Sequence, residues 1–348
     1  MVRIGDTPCW TSRSVDVVTP GTRVALALGS GGARGYAHIG AIAVLEERGY
    51  EIVSVAGSSM GALVGGLHAA GGLGAYAEWA RTLTQRDVLR LLDPSIKGPG
   101  AIRGEKILAR VSELLGAALI EDLPIPFTAV ATDLLARKEV WFQQGRVDAA
   151  IRASIALPGF FTPVMIGGRL LADGGMMNPV PVAAITAARA DLIVAVSLGG
   201  ERTGSPGRES AVLRPAEELL DRVRRTVGQV RELDLPRIPA GHRAPGHSAS
   251  PGVSPPLEAV DLVEAFPPGL RTVDVMNLSL EAMQSVLTRY RLSGYPPDVL
   301  ITVPSDACRT MDFHLADEMI QLGRDLTLDA LDALEATETR RPAHPAAG

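Results

Sequence analysis

A serine stands between two glycines in Gly57-Ser58-Ser59-Met60-Gly61, a match to the pattern G-x-S-x-G. That pattern places a serine hydroxyl on a sharp strand-to-helix turn, and the glycines remove side chains that would collide with neighbouring chain. The helix that follows points its positive N-terminus at the hydroxyl and favours negative charge developing there. Ser59 is the candidate nucleophile and Ser58 its rival; a tight turn with no chemistry is the plain structural alternative.

A second glycine-rich turn, Gly29-Ser-Gly-Gly-Ala-Arg-Gly35, admits two readings. Glycines after a first strand can cradle a pyrophosphate, but that reading wants an acidic residue at the end of the second strand. Here the second strand ends Val55-Ala56-Gly57 and runs into the serine turn, and no G-K-[ST] ending follows the loop. The other reading is an oxyanion hole, with backbone N–H groups of Gly31, Gly32 and Ala33 aimed at a tetrahedral intermediate. Arg34, beside Gly35, either holds this loop or sits at a helix start on the surface.

A serine nucleophile needs a proton acceptor within hydrogen-bond reach. The histidines are His38, His68, His242, His247, His314 and His344. His344 falls in a C-terminal tail, His242 and His247 in a Pro- and Ser-rich stretch, and His38 and His68 on expected helices. His314, in Met311-Asp-Phe-His-Leu315, has the best-ordered setting, so a Ser59–His314–acid triad is one option. A carboxylate is the other, because Leu170-Leu-Ala-Asp173-Gly-Gly175 ends an apolar run with Asp173 directly before Gly174 and Gly175. Taken alone, Asp-Gly-Gly is also an ordinary turn.

These residues need a frame. Val24–Leu28 and Ile52–Ala56 are short apolar runs that read as buried parallel strands, and a helical pattern follows each, around Ile39–Arg48 and over Met60–Ala70. Strand, turn, helix, repeated, is the rhythm of an α/β fold: a doubly wound, mainly parallel sheet flanked by helices. Further strands are expected at Phe127–Ala131, Val140–Phe142, Leu192–Val196 and Val299–Val303. The expected organisation is a flexible tail over 1–23, a catalytic core over 24–196, and a C-terminal part of the same fold over 197–337. A final tail over 338–348 is expected to be disordered. A Pro/Gly/Ser-rich insertion at about 236–256 interrupts the C-terminal part, flanked by helical patterns at Pro215–Leu233 and Val273–Tyr290. The apolar run Leu157–Phe161, with Pro163–Ile166, reads as core beside the active-site strand; an acyl groove or a lipid contact is its alternative.

Composition narrows the partners. The chain has 348 residues, 46% hydrophobic but only 4% aromatic, so its core must be built from Ala, Val, Leu and Ile. A formal net charge of −5 without a basic stripe argues against nucleic acid. Cys9 and Cys308 have neither metal-ligand spacing nor the density of a disulfide framework, which suits a reducing compartment. With no apolar run of about 18 residues and no apolar leader in Met1–Arg23, the expectation is a cytoplasmic protein, at most peripheral at a membrane.

Taken together the motifs resemble the patatin-like phospholipase family. The match consists of Gly29–Gly35 for the glycine loop, Gly57–Gly61 for the serine turn, and Ala153-Ser-Ile-Ala-Leu-Pro-Gly159 preceding Asp173-Gly-Gly175, in family order from about Val24 to Val196. Asp312-Phe-His-Leu-Ala-Asp-Glu318 is similar to bacterial members akin to the neuropathy-target-esterase catalytic domain. The resemblance implies a Ser59–Asp173 dyad, an oxyanion hole at Gly31 and Gly32, and hydrolysis of lipid acyl esters without metal or other cofactor. Ser30 departs from the family loop, which often has Gly there. The rival expectations are an α/β-hydrolase-like esterase using Ser59, His314 and an acid, and a regulatory protein that keeps the fold without turnover.

Overall fold

Along the first strand, β1 (Arg23–Leu28), Val24, Leu26 and Leu28 alternate with Ala25 and Ala27, and all five are fully buried. A period-2 strand with no exposed side must be covered on both faces. The larger residues pack in the main core with α1 (Ala37–Glu47) and α2 (Met60–Ala69), while the alanines meet Val180, Val182, Ile185 and Ala195 in a thinner second core. The computed structural model describes residues 21–91, 100–102, 104–202 and 272–339. The expected insertion at about 236–256, the helical pattern at 215–233 and nearly all of both tails lie outside the described residues. The chain divides into two units, Met1–Thr203 with Val275–Gly348, and Gly204–Asp274; the sheet belongs to the first.

The remaining strands are β2 (Glu51–Ser58), β3 (Gly100–Ile102), β4 (Phe127–Asp133), β5 (Lys138–Phe142), β6 (Gly159–Phe161), β7 (Val164–Ile166), β8 (Arg169–Asp173), β9 (Leu192–Gly200) and β10 (Val299–Pro304). Eight of them form one sheet in the order β10-β9-β1-β2-β4-β8-β7, with β5 also on β4, and β3 pairs with β6 apart from it. From β10 to β4 every pairing is parallel; β4–β5, β4–β8 and β8–β7 are antiparallel. The fold is the expected α/β architecture, mainly parallel and flanked by helices. The helices beyond α2 are α3 (Leu73–Arg81), α4 (Gln85–Leu91), α5 (Glu105–Leu115), α6 (Val147–Ser154), α7 (Thr272–Gly294) and α8 (Ala316–Thr339).

The register around β4 decides what meets what. Parallel β2 pairs with Phe127–Val130, ending with Ser58 opposite Val130. Antiparallel β8 pairs with Ala131–Asp133, ending with Asp173 opposite Ala131. Strand β5 spans Ala129–Asp133 and overlaps both partners, so it occupies the other edge of β4. Strands β2 and β8 therefore share one edge, run towards each other, and meet at their carboxyl ends on consecutive β4 residues.

Candidate active site

Between β2 and α2, Ser59 adopts φ 56°, ψ −122°, a region that non-glycine residues rarely enter. The turn is tight because its glycines allow close approach: a Cβ on Gly57 would strike the Gly61 carbonyl, and one on Gly61 the Leu28 carbonyl. The Ser59 N–H donates to Ser154 Oγ at 2.9 Å, and the Ser154 hydroxyl donates to the Val130 carbonyl at 2.6 Å. Ser154, at the end of α6, thus ties the turn to β4. Nothing in its type or spacing marked that duty, although it stands inside the Ala153–Gly159 block. Ser58 is fully buried and donates to the Asn178 carbonyl at 2.6 Å, which turns it away from the position Ser59 occupies.

The Ser59 hydroxyl donates to Asp173 Oδ2 at 2.5 Å, and the Gly175 N–H donates to Asp173 Oδ1 at 2.7 Å. Gly174 and Gly175 form a short 3-10 turn with Met176 directly after β8. Asp173 is 1% exposed. Burial pushes its carboxyl up to about 7, against the pull of the Ser59 and Gly175 hydrogen bonds. A carboxylic acid that titrates near neutrality, already bonded to a hydroxyl, is placed to exchange a proton with it.

The glycine loop is anchored by its own backbone. Gly29 N–H donates to the Val196 carbonyl at 2.9 Å and Ser30 N–H to the Pro179 carbonyl at 2.8 Å. The Ala33 N–H donates to the Thr310 carbonyl at 2.9 Å, so the oxyanion role expected of Ala33 is withdrawn: its donor is already in use. Gly31 and Gly32 N–H groups make no hydrogen bond among the described residues, and Gly32 sits at φ 59°, where a side chain would be strained. Arg34 is not a surface residue. It is 5% exposed, and its guanidinium donates to the Gly31 carbonyl at 3.2 Å, to the Ser305 carbonyl, and to Glu281 Oε1 at 3.0 Å. Gly35 lies against the Met60 side chain, which brings the loop to the serine turn. Beneath it, His38 Nε2–H donates to the Gly29 carbonyl at 2.8 Å; burial pushes this imidazole down to about 4, so it is neutral and structural. Ser30 packs its side chain against Gly175.

Ser59, Asp173, Gly31 and Gly32 open onto a cavity of about 90 Å³ walled by apolar side chains, among them Leu63, Trp79, Leu157, Phe160, Phe161 and Phe313. The run at 157–161 is therefore not closed core: Leu157, Phe160 and Phe161 are half-buried and form a wall of the cavity, while Met165 is 63% exposed. Strand β6 pairs with β3 apart from the main sheet, and β7 is the edge strand of that sheet beside β8. His314 neither bonds to Ser59 nor lines the cavity, and the hydroxyl it would have served is engaged by Asp173. Among the described residues no group of three or more His, Cys, Asp and Glu is arranged to hold a metal, and no helix is long and apolar enough to cross a membrane.

Comparison with known proteins bears on this geometry. The family model for patatin-like phospholipases matches residues 26–185, a stretch that contains the glycine loop, Ser59 and Asp173. An uncharacterized NTE family protein of Mycobacterium tuberculosis is 50% identical over 335 residues, covering 90% of this chain and 92% of that one. The chain belongs to the patatin-like phospholipase family. The members of this family are generally lipid acyl hydrolases. Mouse patatin-like phospholipase domain-containing protein 6 is 32% identical over 198 residues, 55% of this chain and 14% of that much longer one. The solved structure of VipD from Legionella pneumophila aligns with 91% of this chain and 68% of that one, at TM-score 0.43 and 14% identity. The family match ends before α7, whose residues nonetheless reach the loop through Glu281.

Proposed function

We propose that this protein hydrolyses acyl esters of lipids through a Ser59–Asp173 dyad. The observation that carries the reading is the 2.5 Å hydrogen bond from the Ser59 hydroxyl to a buried carboxyl with a pKa near neutrality. In the first half-reaction Ser59 Oγ attacks the ester carbonyl carbon as its proton passes to Asp173 Oδ2. The carbonyl oxygen, now negative, is stabilised by the Gly31 and Gly32 N–H groups. The tetrahedral adduct collapses by breaking the bond to the alcohol oxygen, and Asp173 returns the proton to that oxygen. In the second half a water molecule attacks the acyl-Ser59 carbonyl, gives its proton to Asp173, and Ser59 leaves reprotonated. So written, the reaction draws on no metal or other cofactor.

The apolar wall that includes Leu157, Phe160 and Phe161 fits the acyl chain of such a substrate. Because the substrate is a lipid, contact with a membrane surface during turnover belongs to this reading; nucleic acid does not.

Incubation with a fluorophosphonate, followed by mass spectrometry, tests the proposal. Modification at Ser59, with loss of hydrolysis of a short-chain nitrophenyl ester, is the expected result. Labelling at Ser58, or undiminished turnover in Ser59→Ala, would remove the nucleophile; a folded protein that neither labels nor turns over would favour the regulatory reading.

A further inference from the structure

Two residues of α7 reach the two loops that surround Ser59. Glu281 accepts from the Arg34 guanidinium at 3.0 Å, and Gln284 Nε2 donates to the Gly175 carbonyl at 3.0 Å. They are three positions apart, so they lie on one face of the helix, and both line the cavity. Each grips a group that matters to the chemistry at one remove. The Arg34 Nε–H donates to the Gly31 carbonyl, which belongs to the same rigid peptide plane as the Gly32 N–H. In a trans peptide these two groups point in opposite directions, so holding the carbonyl aims the N–H. At the other loop, Gly175 is held at both of its backbone groups: its N–H donates to Asp173 Oδ1 and its carbonyl accepts from Gln284.

Arg34 itself explains why the helix is needed. Its side chain is 6% exposed, and a guanidinium taken out of water requires an opposite charge. Two of its partners, Gly31 and Ser305, supply only carbonyl oxygens; the single carboxylate among them is that of Glu281, which is 34% exposed. The charge that orients the glycine loop is thus balanced from α7, more than two hundred residues further along the chain.

We propose that α7 is a clamp on the active site, with Glu281 and Gln284 as positioning residues: Glu281 acts through Arg34 on the oxyanion donors, and Gln284 acts through Gly175 on the base. The proposal rests on the dyad reading above and adds to it residues outside the stretch matched by the family model. Its consequence is that two substitutions on one helix face damage catalysis in two different ways. Loss of Glu281 misaims a transition-state donor, which lowers kcat and leaves KM unchanged. Loss of Gln284 frees Gly175 and weakens its bond to Asp173. The influences on that carboxyl are burial, the Ser59 hydroxyl and the Gly175 N–H, with no charged side chain contributing, so weakening the last moves the acidic limb of the pH–rate profile to higher pH.

The experiment uses the full chain, a short-chain nitrophenyl ester and a fluorophosphonate, with folding followed by circular dichroism. Glu281→Ala is expected to lower kcat about tenfold or more, as small misplacements of catalytic groups do, and to slow phosphonylation of Ser59 in proportion. Glu281→Gln, which keeps an acceptor oxygen for Arg34 but not the balancing charge, should recover only part of that loss. Gln284→Leu should shift the acidic limb upward, an effect that packing alone would not produce. Should Glu281→Ala fail to fold, Glu281→Asp carries the same expectation in smaller measure. Folded Glu281 and Gln284 variants with wild-type kcat, labelling rate and pH limb would overturn the clamp alone. A rise in KM with kcat kept would make Glu281 a substrate contact and equally overturn it. A wild-type protein that does not label at Ser59 would sink the dyad and the clamp together.

Discussion

Ser59 leaves a parallel strand and enters a ten-residue helix with its backbone at φ 56°, ψ −122°, whereas Asp173 leaves an antiparallel strand and enters a three-residue turn at φ −51°, ψ 131°. The first turn stores conformational strain, of the order of 1–3 kcal/mol for a residue held in so sparse a region. The second has an ordinary backbone, and what is unusual there is electrostatic: a carboxyl buried until it titrates near pH 7. Each device suits the role proposed for its residue. A nucleophile must project from the sheet edge, which is a matter of geometry. A base must hold and release a proton at working pH, which is a matter of solvation.

The sharpest way to break this comparison is Asp173→Asn. The amide cannot take the serine proton, so hydrolysis is expected to fall on the order of 10⁴-fold while circular dichroism is unchanged. Near-normal turnover in the folded variant would end the dyad.

Stability against pH is the next largest effect, and its sign opposes that of activity. Because the folded pKa of Asp173 is raised to about 7, the folded state keeps, between about pH 4 and 7, a proton that the unfolded chain has released. This contribution to stability is present at low pH and is lost as pH rises towards 7, at about 1.4 kcal/mol per unit. Activity rises over the same limb as the base ionises. Urea midpoints measured from pH 5 to 8 should therefore decline in the wild type by more than in Asp173→Asn, which lacks that titration. Equal slopes would mean that burial does not perturb this carboxyl.

Strain at the serine turn is isolated by comparing two inactive variants. Ser59→Gly relaxes the backbone and Ser59→Ala does not, so the glycine variant should be more stable by about 1 kcal/mol in chemical denaturation. Identical midpoints would place the cost elsewhere. The smallest effect belongs to His314→Ala, expected to keep kcat and its pH limb while losing at most some packing; loss of turnover in that folded variant would revive the triad.

Both turns are legible in the sequence because local sterics write them into residue types. Gly57 and Gly61 stand where a Cβ would meet backbone, and Gly32 where φ is positive. The long apolar runs were equally legible, with β1, β2, β4, β9 and β10 beginning within about a residue of their expected starts. Less could be read where elements are short or partners distant. Strands β6 and β7 have three residues each, too few for a period to show, and so the 157–161 run reads as core in the sequence although Leu157, Phe160 and Phe161 wall a cavity. Ala33 looked like Gly31 and Gly32 in the loop, and only the arrival of Thr310 uses up its N–H. Arg34 allows two readings in the sequence, and only the tertiary structure brings Ser305 and Glu281 to enclose it.

The amino-acid sequence alone determined the shape of each half of the site: a strained serine after one strand, an aspartate and two glycines after another, and a loop with bare N–H groups. Those are properties of neighbouring residues, set by sterics over a few bonds. That Ser59 and Asp173 touch, 114 positions apart, was decided only by tertiary structure. The reason lies in β4, whose Val130 and Ala131 receive the ends of a parallel and an antiparallel strand on one edge. Register over that distance depends on the whole sheet closing its hydrogen bonds, and no local pattern encodes it.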